Sequence, residues 1–283
     1  MEDNKKITIQ DILSMKGKCK ITMLTAYDYP LASLIDKAGI DMILVGDSLA
    51  NVVLGLDSTT EVGMQEMLTS AKAVTRAVKR SLVIGDMPYD SYQVESEKSV
   101  ENAARFISEA KCDAVKLEWF DRCLEVTQNL VQAGIPVMGH IGLTPQTTDK
   151  SGGFKVQGKD ADAARRLIEQ AIALETLGCF AIVLECVPDK IAEMITKKLK
   201  IPTIGIGAGV YCDGQVLVVH DMLGLFQRYT PKFVKKYIDT SALITKAIEE
   251  FKFEVIQGKF PDQEHSFTIK EEELKKLEQR NEE

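Results

Sequence analysis

Short apolar runs recur along this chain, and each leads directly into a polar or acidic residue. Residues 42–48 read MILVGDS, 81–88 SLVIGDMP, 114–118 AVKLE, 136–142 PVMGHIG and 181–185 AIVLE. A run of four or five apolar residues between helical segments is the pattern of a parallel strand buried on both faces. A carboxylate or imidazole at the C-terminal end of such a strand stands where α/β barrels and doubly wound sheets keep their chemistry. Strands that end this way bring Asp47, Asp86, Glu118, His140 and Glu185 toward one pocket. That many acids in one place need a cation to remain charged together.

The rest of the chain fits the same architecture. A short leading helix is expected over 8–15. Strands are expected over 20–26, 42–46, 82–85, 114–117, 137–141, 181–184, 203–206 and 216–219. Helices over 29–38, 64–79, 99–110, 124–133, 160–177 and 188–199 separate most of them. In the 64–79 segment, Met64, Met67, Leu68, Ala71, Val74 and Val78 recur at helical spacing and form one apolar face. Alternating strands and helices imply a parallel sheet, and eight units in about 220 residues favour a closed (β/α)8 TIM barrel over an open sheet. Strands seven and eight have no long helix between them. Two long polar loops, 49–63 and 142–158, are of a length that usually serves function. Beyond His220 come a basic aromatic connector (229–237, YTPKFVKKY) and an amphipathic helix (241–253) suited to closing the barrel wall. Residues 269–283 alternate in charge. We therefore expect one barrel domain over 1–260, and over 261–283 a charged tail, helical or frayed.

Composition limits the classes of function. A chain of 283 residues, 45% hydrophobic, buries a full core without disulfides or metals as staples. Net charge is −7, no basic run occurs and there is one Trp, so nucleic acid is not an expected partner. No apolar stretch reaches membrane-spanning length, and the first ten residues (MEDNKKITIQ) lack the apolar segment of a secretory signal. Cysteines at 19, 112, 123, 179, 186 and 212 form no CxxC pair. Buried free thiols in a reducing cytoplasm are the expected state, with no membrane contact.

Asp47, Asp86 and Glu118 end the second, third and fourth strands, which as parallel neighbours lie under about 5 Å apart. Oxygen ligands without His or Cys favour Mg2+ over Zn2+. The competing reading for any one of them is an ion pair with a lysine at the barrel mouth. Lys116 lies two residues before Glu118 and shares its face. It is suited to a substrate carboxylate, to charge balance, or to a structural pair with Asp86. Glu185, across the barrel, is either a general base or a buried, hydrogen-bonded carboxylate. His140 is either a substrate hydrogen-bond partner or a structural histidine. The glycines of GIGAG (205–209) suit either a phosphate cradle or a tight turn.

Several segments closely resemble the ketopantoate hydroxymethyltransferase family. They are VGDS at 45–48, GDMP at 85–88, VKLE at 115–118, GHIGLTPQ at 139–146, GGFKVQG at 152–158, IVLE at 182–185, IPTIGIGAG at 201–209 and CDGQVLVVHDMLGL at 212–225. The likeness runs in order over about residues 8–260. It implies a barrel of the phosphoenolpyruvate mutase/isocitrate lyase superfamily. It implies transfer of a hydroxymethyl unit from 5,10-methylenetetrahydrofolate to 3-methyl-2-oxobutanoate, giving 2-dehydropantoate for pantothenate and coenzyme A synthesis. Mg2+ ligation is implied for Asp47, Asp86 and Glu118, ketoacid contact for Asp47, Ser48, Asp86 and Lys116, and proton abstraction for Glu185. Homo-oligomers, often decamers, are also implied. A 2-oxoacid that chelates Mg2+ has an acidified C3 proton, because the metal stabilises the developing enolate, whose carbon then attacks the folate-borne methylene.

Two departures from the family pattern stand out. Trp119–Phe120 replaces a pair of glycines, and Leu49–Ala50–Asn51 replaces LGM. Both are expected at the pocket mouth. The rival readings are a folate-free, Mg2+-dependent C–C bond enzyme of the same superfamily and a non-enzymatic barrel that binds or regulates.

Overall fold

The computed structural model describes residues 5–146 and 156–280. Eight parallel strands close on themselves: β1 (Ile21–Thr25), β2 (Met42–Val45), β3 (Leu82–Asp86), β4 (Ala114–Glu118), β5 (Val137–Gly142), β6 (Ala181–Glu185), β7 (Thr203–Ile206) and β8 (Gly214–Leu217). Each pairs with the next, and β8 returns to β1 through Ile21 opposite Gly214 and Leu24 opposite Leu217. The fold is the expected (β/α)8 barrel.

Local chemistry starts the helices where the sequence changes period. Asp28 accepts the Leu31 N–H (2.8 Å) and starts the helix Tyr29–Lys37. Asp160 accepts the Ala163 N–H (2.8 Å) and starts Ala161–Thr176. A capping box between Thr8 and Asp11 starts the leading helix Ile9–Met15.

Two apolar layers follow from the strand period of two. One row of strand side chains meets the surrounding helices, with Ile43, Val83, Val115, Ile182 and Leu184 packed beside Leu68, Phe106, Leu130 and Leu174. The other row fills the barrel with Met23, Met42, Leu44, Leu82, Ile84, Met138, Val183 and Ile204. Ile12, from the leading helix, is fully buried in that inner cluster. Lys6 and Lys16 tie the same N-terminal segment to Asp113 (2.6 Å) and Asp213 (2.7 Å), just before β4 and β8. The N-terminal end of the barrel is thus a packed floor, and the C-terminal end is left for chemistry.

Three expectations change. The eighth strand lies two residues earlier than the apolar run 216–219 suggests. Val219 instead donates its N–H to Thr25 Oγ1 (3.0 Å) and begins a one-turn helix, Val219–Met222. The first long loop is partly ordered, as the helix Leu49–Val52 and a 3-10 turn over Thr59–Glu61. Five cysteines are buried free thiols, but Cys19 is exposed.

The chain divides into two units, residues up to Tyr237 and residues from Ile238. The second unit holds the helices Thr240–Ile256 and Glu271–Arg280. No residue of Thr240–Ile256 is buried. Residues 147–155 of the second long loop, with most of the GGFKVQG segment, lie outside the described residues, as do 281–283 of the charged tail. Among the described residues no helix is long and apolar enough to cross a membrane.

Candidate active site

The inward rows of β3 to β6 change character along their length. β3 reads Leu82, Ile84, Asp86; β4 Ala114, Lys116, Glu118; β5 Met138, His140; β6 Ala181, Val183, Glu185. Each row is apolar at the floor and ionisable at the C-terminal end. Strand register then sets the neighbours. Asp86 lies opposite Lys116, and Glu118 lies opposite His140. Asp47 joins them from the turn after β2. All six of these ionisable side chains line one cavity of about 590 Å³.

The contacts are dense. Lys116 Nζ stands 2.8 Å from Asp86 Oδ1, 3.9 Å from Glu118 Oε1 and 3.3 Å from His140 Nδ1. His140 bridges two acids, with Nδ1 3.2 Å from Glu118 Oε1 and Nε2 3.2 Å from Glu185 Oε2. The Asp47 backbone N–H donates to Asp86 Oδ2 (3.0 Å). Ser48 lines the same cavity and shares a 2.7 Å hydrogen bond with Tyr27 Oη. The structure thus brings together every side chain expected at the site.

Burial sets the charge states. It pushes Asp86 up to about 7, with Asp47 and Glu118 adding to the rise against Lys116. Asp47 is raised for the same reason, with Glu118 its main charged opponent. Glu185 is raised by burial against the pull of His140. For Lys116, burial disfavours the ammonium, but Asp86, Glu118 and Asp47 outweigh it and hold the group charged. Burial and Lys116 also oppose a charged His140, yet Glu118 and Glu185 raise it to about 9. The cluster is a buried set of opposed charges in which each carboxylate depends on a nearby cation.

A hard cation suits this set. Asp86 Oδ1 and Glu118 Oε1 are fully buried and receive no well-directed hydrogen bond, only the ion-pair contacts above. Asp47, Asp86 and Glu118 supply oxygen alone, the donor type of Mg2+. Among the described residues no three His, Cys, Asp or Glu side chains stand in ligating geometry. The Lys116 ammonium stands beside Asp86 and Glu118 instead.

Gln146 was missed by the sequence reading. Its backbone N–H donates to Glu118 Oε2 (3.0 Å) and its Nε2 to Asp47 Oδ2 (2.9 Å), and Tyr92 Oη donates to its Oε1. It thereby orients two of the three acids from a loop. It ends the GHIGLTPQ segment, which was the only available signal.

Of the departures from the family pattern, only Asn51 lies at the large cavity. Phe120 is buried against Tyr92, with ring centroids 5.0 Å apart, and Trp119 lines a separate small pocket. Leu49 and Ala50 are buried in the core, and Asn51 alone of these residues lines the large cavity. Phe120 thus bears on the acids only through Tyr92, whose hydroxyl holds Gln146. In GIGAG, Gly207 and Gly209 adopt φ +63° and +77°, and added Cβ atoms would come within 2.8 Å of Phe233 and 2.5 Å of Asp189. Close packing in a tight turn accounts for these glycines.

Solved structures share this fold at low identity. A 2,3-dimethylmalate lyase, described as a PEP mutase/isocitrate lyase superfamily member, aligns with TM-score 0.61 at 16% identity, covering 98% of this chain and 96% of the other. A phosphonopyruvate hydrolase solved with oxalate and Mg2+ aligns with TM-score 0.57 at 13% identity, covering 98% and 96%. These likenesses show the fold, the closed (β/α)8 barrel. At higher identity, the 3-methyl-2-oxobutanoate hydroxymethyltransferase of Syntrophomonas wolfei is 56% identical over 262 residues, 93% of this chain and 95% of the relative. The family model for ketopantoate hydroxymethyltransferase matches residues 6–263. The chain belongs to the ketopantoate hydroxymethyltransferase family and is a transferase.

Proposed function

We propose that this chain transfers a hydroxymethyl unit from 5,10-methylenetetrahydrofolate to 3-methyl-2-oxobutanoate in the cytoplasm. The product is 2-dehydropantoate, a precursor of pantothenate and coenzyme A. The observation that carries the reading is the convergence of Asp47, Asp86, Lys116, Glu118 and Glu185 on one cavity. A Mg2+ ion held by Asp47, Asp86 and Glu118 would act as a Lewis acid toward the negative charge that develops on the ketone oxygen.

The protein's own groups do the rest. Lys116 and the Ser48 hydroxyl bind and orient the ketoacid, and Lys116 offsets its negative charge. Glu185 Oε takes the C3 proton, because burial raises its basicity. His140 orients Glu185 through the 3.2 Å contact. The C3 carbanion equivalent then bonds to the methylene carbon and a water supplies the hydroxyl oxygen, while both C–N bonds from that carbon to N5 and N10 break. Tetrahydrofolate leaves with the C3 proton carried by Glu185 and one proton of the water.

Deuterium exchange at C3 of 3-methyl-2-oxobutanoate tests this reading. With folate omitted, exchange is expected only with Mg2+, and product only after methylenetetrahydrofolate is added. No exchange with Mg2+ present would remove the enolising role. Product formed without folate would favour a folate-free member of the superfamily.

We also propose self-assembly, a decamer in line with the resemblance. Leu243, Ile244, Ile248, Phe251 and Ile256 are all exposed on the helix Thr240–Ile256, an apolar load that soluble monomers rarely carry. Sedimentation should give a multiple of the chain mass, dropping for a double Ile248→Glu, Phe251→Glu variant. A monomeric wild-type protein would refute this.

A further inference from the structure

The polar cluster occupies only the β2–β6 side of the cavity. A small branched ketoacid held there leaves most of the 590 Å³ free. The remaining wall is built by the segment after β8. Phe226, Tyr229, Pro231 and Phe233 line it with apolar and aromatic surface. One acid interrupts that wall. Asp221 is 8% exposed and lines the cavity. No hydrogen bond reaches its carboxylate among the described residues. Burial raises it to about 6, opposed by Lys236. An ionised carboxylate without a donor is costly to bury, so this position is built for a ligand that brings N–H groups.

We propose that Asp221 and the aromatic wall beside it form the subsite for the reduced pterin of the one-carbon donor, with Asp221 pairing to the ring's 2-amino and N3–H groups. This rests on the folate-dependent reading above. Those two N–H groups are coplanar and adjacent, as in a guanidinium, and match the two oxygens of one carboxylate. The flat bicycle suits a wall of aromatic rings. At the cavity rim Arg228, 60% exposed, donates to the Gly55 carbonyl (3.0 Å) and stands 3.6 Å from the exposed Asp57 carboxylate, which the anionic glutamyl tail would displace as the arginine's partner on leaving for solvent. The methylene lies between pterin and tail, so this orientation turns it toward Glu185 and the ketoacid.

The test compares tetrahydrofolate with its 2-desamino analogue in wild-type protein and in Asp221→Asn, full chain, by equilibrium titration and by KM for the methylene forms. Wild-type protein should prefer the 2-amino compound by about 10- to 100-fold, the worth of a charge-assisted pair. Asp221→Asn should lose most of that preference, and its donor KM should rise far more than its ketoacid KM. Because the preference is measured within one protein, a general loss of packing does not mimic it. An undiminished preference in Asp221→Asn would overturn the subsite while leaving the folate reading intact. Equal rises in both KM values would also overturn it, marking Asp221 as structural. Absence of folate-dependent turnover in wild-type protein would overturn both.

Discussion

Asp86→Asn should leave a folded protein whose Mg2+-dependent turnover is down by about 10³-fold or more, and Asp86→Ala should abolish turnover. Asp86 is wholly buried at the end of β3, and register sets it beside Lys116. Its two oxygens do different work. Oδ2 accepts the Asp47 N–H and so fixes the turn that carries Asp47 and Ser48. Oδ1 faces the Lys116 ammonium and takes no well-directed hydrogen bond. Asparagine keeps the size and can keep the Oδ2 bond, but it removes the charge that a divalent ion needs. Lys116 would retain Glu118 Oε1 at 3.9 Å, so the buried ammonium is not left alone. Melting with and without Mg2+ separates the effects. The wild-type protein should gain melting temperature from the ion, and Asp86→Asn should gain little. Unchanged turnover, or an equal Mg2+ gain in the variant, would remove Asp86 from the metal site.

The barrel was legible because its strands are buried on both faces and so appear as unbroken apolar runs with polar ends. The β8 strand was placed late for the same reason. Gly214 and Gln215 carry no apolar signal, and Gln215 turns its side chain outward to donate to the Gly209 carbonyl (2.8 Å). What sets this strand is pairing with β1, a closure condition of the whole barrel rather than a local preference. At the site, the alternation of Lys116 and Glu118 on one face was readable from the period of two. The pairings of Asp86 with Lys116 and of Glu118 with His140 depend on interstrand register, which no single segment encodes. Gln146 lies 28 residues from Glu118 and 99 from Asp47 in the chain, and its hydrogen bonds to both exist only once the barrel closes. Asp221 lay within a segment of family likeness, yet only the cavity reveals that its carboxylate receives no hydrogen bond among the described residues.

Glu185→Gln should still bind 3-methyl-2-oxobutanoate but lose about 10²- to 10⁴-fold in C3 proton exchange. Glu185 ends β6, with its backbone in register with Gly142 and Ile206, so sheet pairing on both sides fixes where the side chain starts. It is 8% exposed, and burial raises its carboxyl above the ordinary glutamate range. A raised carboxyl is a stronger base once ionised, which proton abstraction from carbon requires. His140 Nε2 at 3.2 Å restrains the carboxylate and lowers that basicity in part. Glutamine preserves the volume and cannot accept the proton. The substitution also has a second readout. His140 is held up at about 9 chiefly by Glu118 and then by Glu185, against burial and Lys116. With Glu185 made neutral, one source of that support is gone and the imidazole should titrate at lower pH by NMR. A normal exchange rate in D2O, in a variant whose His140 titration has moved, would assign Glu185 to holding His140 rather than to taking the proton.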